Sequence, residues 1–328
     1  MIQRPGAVFF GSGTFAVPPL DALAQAPEVV LRAVVSVPPR PAGRAGIRRP
    51  TPVATRAREL GVAVLTLEHL GRPEELAAVR AFDPGLIVVA DYGRLLPAAL
   101  LGLPGHGALN LHPSLLPRWR GASPVAAAIL AGDDETGVSL MRLDAGLDTG
   151  PVVAQQRLRL EGHETAASLE TALAGIGAAL LAASLGPWLR GELGEEAQDP
   201  ALVTLSRPLR RADGQLDPAQ PARALERQVR AYQPWPGAHL DLPSGRLLVR
   251  AAALVPAPPG LGAGTDRVAP GTIVADADGI ALATTDGLLR LLRVQPAGGR
   301  AMTGPELRRG HPGIVGTIVG SKQPPTVA

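Results

Sequence analysis

The feature that most restricts the fold is an alternation, through the first 190 residues, of short, mainly apolar runs with segments of helical period. Residues 7–10, 62–65 and 86–90 are unbroken apolar runs, and 29–37 and 108–112 are mostly apolar. A strand covered on both faces loses the polar/apolar alternation of a half-exposed one and reads as an unbroken apolar stretch. Between the runs, helical spacing carries Leu20, Leu23 and Ala24, then residues 55–60, 74–82 and 123–131. This order predicts an α/β fold with a doubly wound, Rossmann-like sheet, whose active site lies beyond the carboxyl ends of its strands. Further strands are expected at 137–143 and 151–160, followed by a long Ala/Leu helix at 165–189.

The pattern changes after Arg190. Residues 190–208 are polar and without period, which predicts a linker. A helix over 221–231 follows, then short strand-like runs at 247–254, 271–274, 280–284, 287–294 and 314–318, separated by Gly, Pro and Asp. Such spacing predicts a smaller C-terminal β-barrel of the OB type. The expected organisation is therefore a domain over 1–190, a linker over 191–207 and a second domain over 208–328.

A chain of 328 residues with 46% hydrophobic residues can bury two sizeable cores, so wholesale disorder is excluded. The absence of cysteine excludes disulfides and thiolate metal sites. His69, His106, His163, His239 and His311 have no partners at metal-ligand spacing, so no metal is expected. The N-terminal apolar run is too short for a signal sequence or a membrane span. The expectation is a cytoplasmic, monomeric protein with no membrane association. Net charge is +3, divided as −3 over residues 1–206 and +6 over 207–328. A basic second half suits a polyanion-binding module beside a catalytic one, and equally suits a chance asymmetry on a solvated surface.

Gly11-Ser-Gly-Thr-Phe15 follows the first strand but lacks the third spaced glycine of a dinucleotide loop, and no acid follows the second strand at the usual distance. It reads as a tight strand-to-helix turn near a substrate. Asn110 and His112 lie two apart on one strand and so project from one face. Asp148 falls in the next glycine-rich connection, where a parallel sheet would bring it alongside. An amide, an imidazole and a carboxylate suit acyl transfer to an amine: Asn and a protonated His donate to a developing oxyanion, while the carboxylate favours the charged imidazole and assists proton movement. A single His at a strand end is structural at least as often as catalytic, so these residues alone leave both readings open.

The surrounding residues bear on that choice. Asn110-Leu-His-Pro-Ser-Leu-Leu-Pro-Arg-Trp-Arg-Gly121, then Glu135-Thr-Gly-Val138, then Asp144-Ala-Gly-Leu-Asp-Thr-Gly150 closely resemble the 10-formyltetrahydrofolate-dependent formyltransferases. The resemblance implies Asn110, His112 and Asp148 as the catalytic residues. It implies a folate co-substrate, 10-formyltetrahydrofolate, against Ser114, Leu115, Leu116, Pro117, Ala90 and Tyr92. Asp144 is the alternative carboxylate and is expected to be structural.

Three further features resemble the branch of that family that formylates initiator methionyl-tRNA. One is the acid-free loop Pro41-Ala-Gly-Arg44 with Arg40, Arg48 and Arg49 beside it; the others are Ala231-Tyr-Gln-Pro-Trp-Pro-Gly237 and Leu292-Arg-Val-Gln-Pro-Ala-Gly298. The resemblance implies tRNA contacts by Arg40, Arg44, Arg48, Arg49, Arg207 and Arg300, pairing with phosphates. The alternatives are a formyltransferase for a small amine such as glycinamide ribonucleotide, and a tRNA-binding protein without catalysis. The chain departs from the family at four places. Gly-Ser-Gly-Thr-Phe replaces a Gly-Thr-Pro-acid-Phe loop, and Asp91 replaces a small apolar residue. Pro208 stands near a common Lys, and Gly299-Arg300 replaces a Lys pair, where Arg207, Arg210 and Arg300 are candidate substitutes.

Overall fold

A computed structural model describes residues 4–42, 47–255, 268–277 and 279–320. It divides into two compact units: residues 1–125, 134–160 and 168–208 form the first, and residues 126–133, 161–167 and 209–328 the second. In chain order the first elements are β1 (Gly6–Gly11), α1 (Val17–Gln25), β2 (Val30–Ser36), β3 (Arg40–Ala42), β4 (Ile47–Arg49), α2 (Pro52–Glu59), β5 (Ala63–Thr66), α3 (Pro73–Arg80) and β6 (Leu86–Ala90). Then come α4 (Ala98–Leu101), β7 (Ala108–His112), β8 (Arg120–Gly121), α5 (Pro124–Ala131), β9 (Glu135–Arg142), β10 (Val152–Arg159), α6 (Ala166–Leu189) and β11 (Leu205–Ser206).

The main sheet of the first unit has seven strands in the order β10-β9-β7-β6-β1-β2-β5. Strands β5, β2, β1, β6 and β7 run parallel. The chain starts at the centre, winds out to β5 and returns to β6, so the switch point falls between β1 and β6, where such sheets open a crevice. Phe9 and Phe10 are fully buried in β1, each contributing about 1.5–3 kcal/mol by burial. The Thr51 hydroxyl caps α2 by accepting from the Ala54 amide at 3.0 Å, with Pro52 opening the helix.

The last two strands differ from the expectation. Strands β7 and β9, and β9 and β10, pair antiparallel. Only residues 143–151 join β9 to β10, fewer than the dozen or more that a parallel crossover requires, so the link closes as a hairpin. Asp148 therefore lies in the turn of an antiparallel hairpin, not in a parallel connection. The acid-free arginine segment also holds regular structure, since β3 and β4 pair antiparallel with Arg40 opposite Arg49. Helix α6 is long and apolar enough to cross a membrane by length and composition. Leu169, Leu173, Leu181 and Leu185 on one face of it are buried.

The expected linker is structured. Residues 200–202 form a 3-10 turn, β11 pairs in parallel with β8, and Val152 and Glu196 form an isolated bridge. Backbone pairing of this kind leaves no periodic signature in so short a stretch.

The second unit contains α7 (Ala222–Ala231), β12 (Ala238–Leu242), β13 (Gly245–Val255), β14 (Ile273–Asp276), β15 (Gly279–Ala283), β16 (Leu288–Pro296), β17 (Met302–Thr303) and α8 (Gly304–Gly310). The antiparallel sheet runs β12-β13-β16-β15-β14, with β17 on β16. Leu225 and Val229 of α7 join the core formed by Leu240, Val249, Ile280 and Leu291. The run at 314–318 is not a strand: it follows a 3-10 turn at Pro312–Ile314 and is interrupted at Gly316, whose φ is +85°. It still bridges the sheet edges, with Val319 N–H donating to Gly271 and Gly320 N–H reaching Asp241.

His239 of β12 is buried. Burial holds its imidazole below the ordinary range, reinforced by Arg246 and opposed by Asp241 and a backbone hydrogen bond with Gly237. The unfolded chain binds that proton more readily, so the contribution to stability is complete above about pH 6.5 and lost as pH falls through the depressed folded value. Calorimetry between pH 7.5 and 5 should show the wild-type Tm falling by about 4 °C per kcal/mol lost. His239→Gln should show a flatter profile, and equal slopes would refute the assignment.

Candidate active site

His112 ends β7, and Asn110 precedes it by two residues on the same face; both are buried. The His112 Nε2 lies 2.9 Å from the Trp119 carbonyl oxygen. A carbonyl only accepts, so Nε2 carries hydrogen there and Nδ1 turns toward Asp148. The Nδ1–Oδ2 separation is 3.7 Å, a distance for charge attraction but too long for a hydrogen bond. In the doubly protonated ring, and only there, Nδ1 also carries a hydrogen, which faces the carboxylate at that distance. The Asn110 carboxamide has no hydrogen bond among the described residues, so it is an available donor.

Asp148 is held by its own loop and by the active-site segment. Its φ is +53°, a left-handed conformation that Asp tolerates better than most residues. Its Oδ2 accepts from the Gly121 amide at 2.8 Å. Asp144 serves the same loop: its Oδ1 accepts from the Gly146 amide at 3.0 Å and the Thr149 hydroxyl at 2.7 Å. Gly150 closes the turn where a Cβ would stand 1.9 Å from the Arg142 carbonyl oxygen.

The expected folate contacts lie at the carboxyl ends of the parallel neighbours β6 and β7. Ala90 ends β6 and is buried. Tyr92 belongs to the core, its ring edge-on to Phe10 at 5.3 Å. Its hydroxyl is buried without a partner, and burial pushes the phenol up to about 12. The Ser114 hydroxyl is likewise turned inward, donating to the Arg118 carbonyl at 2.6 Å. Leu115 packs over Gly137, where a Cβ would meet it at 2.6 Å. Leu116 is buried, and its peptide bond to Pro117 is cis. Ser139 accepts from the Leu116 amide and donates to the Ser114 carbonyl, while Gln155 donates to the Leu116 carbonyl. These bonds hold the Ser114–Pro117 backbone rigid.

The first two departures from the family pattern meet in space. Ser12 and Gly13 amides donate to the Asp91 carbonyl, and a Cβ at Gly13 would stand 1.6 Å from Asp91 Oδ2. Gly13 therefore makes room for the Asp91 carboxylate. Asp91 is an exposed residue whose carboxyl packs against Gly13 of the loop. That carboxyl is pushed up to about 6 by desolvation first and by Glu170 second.

The arginines expected at a tRNA belong to both units. Arg48 and Arg49 are exposed on β4; the Arg44 position and the Arg40 side chain lie outside the described residues. Arg207 is exposed and donates to the Pro208 carbonyl. Arg300 is mostly exposed and pairs with Glu306 at 3.4 Å. Reading the sequence missed Gln198, Thr204 and Ser206, which contact residues 119–123 and the Asp148 loop from the expected linker. They are isolated polar residues in an aperiodic stretch, with no local signal. Among the described residues no three His, Asp or Glu side chains group as a metal site.

This arrangement, a donor pair beside a carboxylate at the carboxyl edge of a doubly wound sheet, suits acyl-group transfer. The formyl transferase family profile matches residues 6–185 and that family's C-terminal domain profile matches residues 208–312, and the chain belongs to this family. Among its relatives is the methionyl-tRNA formyltransferase of Roseiflexus sp. (strain RS-1), 44% identical over 306 residues, covering 92% of this chain and 91% of that protein. The protein of the same name from Xanthomonas campestris pv. campestris (strain 8004) is 45% identical over 299 residues, covering 90% and 94%. In fold, the chain is similar to HypX from Aquifex aeolicus in complex with tetrahydrofolic acid. The TM-score is 0.60 at 15% identity, covering 93% of this chain and 47% of that one, so this chain spans about half the HypX length. WlaRD, a sugar 3N-formyl transferase crystallised with dTDP and 5-N-formyl-THF, gives a TM-score of 0.61 at 14% identity, covering 88% and 96%.

Proposed function

We propose that this protein transfers the formyl group of 10-formyltetrahydrofolate to the α-amino group of methionyl initiator tRNA, as a cytoplasmic monomer. The observation that carries this reading is the 44% identity, extending through both domains, to relatives named methionyl-tRNA formyltransferase. The sugar formyltransferase shares only the fold at 14% identity, which disfavours a small amine.

The folate supplies an activated formyl carbon when bound, and its proposed contacts at Ala90, Tyr92 and Ser114–Pro117 line adjoining strand ends. The neutral amine of the aminoacyl group attacks that carbon. The Asn110 carboxamide and His112 Nδ1–H donate to the oxygen as it gains charge. Asp148, opposite Nδ1, stabilises the charged imidazole and assists the proton lost by the amine toward the departing N10, so the amine gains formyl and the folate gains hydrogen. No metal has a part in this scheme. Arg40, Arg44, Arg48, Arg49, Arg207 and Arg300 are the proposed phosphate contacts.

Purified protein mixed with formylfolate and charged initiator tRNA should yield N-formylmethionyl-tRNA. Formylation of a nucleotide or sugar amine instead, with no response to tRNA, would establish the alternative. Salt-dependent tRNA binding without consumption of formylfolate would establish a binding protein.

A further inference from the structure

We propose that Gln198 is a positioning residue that sets where the Asp148 carboxylate stands opposite His112. Gln198 lies between the two profile-matched segments, at 6–185 and 208–312, and belongs to neither. The inference rests on the proposed role of Asp148, but its geometry is independent of that role.

The Gln198 carboxamide uses both of its functions. Its Nε2 donates to the Asp148 carbonyl at 2.8 Å and to the Gly150 carbonyl at 2.7 Å, gripping the loop on both sides of Thr149. Its Oε1 accepts from Arg120 Nε at 2.9 Å. Arg120 stands between Trp119, whose carbonyl accepts from His112 Nε2, and Gly121, whose amide binds Asp148 Oδ2. One side chain thus ties together the two loops that carry the partners of both ring nitrogens of His112. A primary amide suits this place because it presents two donor hydrogens and an acceptor in one plane. A carboxylate has no donor, and an aliphatic chain has neither function.

The neighbouring residues act with it. Thr204 Oγ1 accepts from the Trp119 amide at 2.8 Å, and the Arg120 amide donates to the Thr204 carbonyl at 3.0 Å. Ser206 Oγ donates to the Arg120 carbonyl at 3.1 Å. These bonds fix the 119–121 side of the site, and Gln198 alone among them reaches the Asp148 backbone. Asp148 stands at a left-handed φ in the hairpin turn, with Asp144 bracing the loop from within and the Gly121 amide on its carboxylate; Gln198 adds the grip on its backbone carbonyl from outside the loop.

The test is Gln198→Glu in the full-length protein, with Gln198→Met beside it. Glutamate keeps the length and the acceptor for Arg120 but faces two carbonyl oxygens with an acceptor. We expect kcat to fall about 100-fold, the scale of a 1 Å misplacement, with KM for both substrates nearly unchanged. Hydrogen exchange at the Gly121 amide should accelerate about tenfold in both variants as its bond to Asp148 loosens. Lowering the pH toward 5 should raise kcat of Gln198→Glu relative to wild type, because a protonated carboxyl donates again, whereas Gln198→Met should show no such recovery. Wild-type kcat and wild-type Gly121 protection in Gln198→Glu would overturn the proposal. A kcat loss that tracks a fall in Tm without low-pH recovery would also overturn it. If the wild type transfers no formyl group, the reading of the reaction fails, and Gly121 exchange still decides the positioning claim.

Discussion

Asp148→Asn is expected to lower formyl transfer by about 10²–10⁴-fold while leaving the circular dichroism spectrum and Tm close to wild type. An asparagine oxygen still accepts from the Gly121 amide, which Asp148 Oδ2 does at 2.8 Å, so the loop keeps its anchor. What is lost is the negative charge 3.7 Å from His112 Nδ1. Without it the charged imidazole of the proposed mechanism would have no counter-charge in a buried setting, where charges are costly unless paired. His112→Ala is expected to fall by a similar factor. If the two residues work as a unit, the double variant loses little more than the worse single variant, as with other cooperating catalytic groups. Steady-state kinetics on the four proteins decide this. Asp148→Asn within threefold of wild type would remove Asp148 from the proposed mechanism, and strictly multiplicative losses would separate the pair.

Gly121→Ala is the second large effect. Gly121 has φ +106°, outside the range open to other residues, and an added Cβ would stand 2.3 Å from the Ser206 carbonyl oxygen. That oxygen belongs to the β8–β11 pair, so the methyl group would part Gly121 from Ser206 and draw its amide from Asp148. Backbone strain of this kind costs about 1–3 kcal/mol, and activity is expected to fall about 100-fold through misplacement of the carboxylate. Gly61→Ala is the control. Its φ is +70° with nothing within 4 Å of the added Cβ, so it should cost about 1 kcal/mol and leave kcat untouched. Equal loss of activity in both would show that positive φ alone, and not the contact with Ser206, is responsible.

These two predictions rest on different kinds of legibility. The Asn110-x-His112 spacing places two side chains on one strand face whatever the rest of the chain does, because the strand period is two. The Asp-Thr-Gly loop likewise announces a tight turn bearing a carboxylate. The partner of the Gly121 amide and the approach of Ser206 are separated from Gly121 by 27 and 85 residues. No local pattern encodes such contacts. The same distinction explains β9 and β10, whose apolar pattern reads as strand while their antiparallel direction depends on the length of the hairpin and on pairing with β7. It also explains Tyr92, whose ring fills the core beside Phe10, a placement that no local pattern at a strand end announces.

By itself the sequence determined the α/β order of the first unit and the antiparallel character of the second, since burial on one face or two writes its period into the residues. It also determined which residues share the face of β7. Only the tertiary structure decided that residues 191–207 run beside the loops around His112, with Gln198, Thr204 and Ser206 holding them. Hydrogen bonds from isolated polar side chains to distant backbone groups follow from where the folded chain passes, and a single polar residue in an aperiodic segment carries no trace of that course.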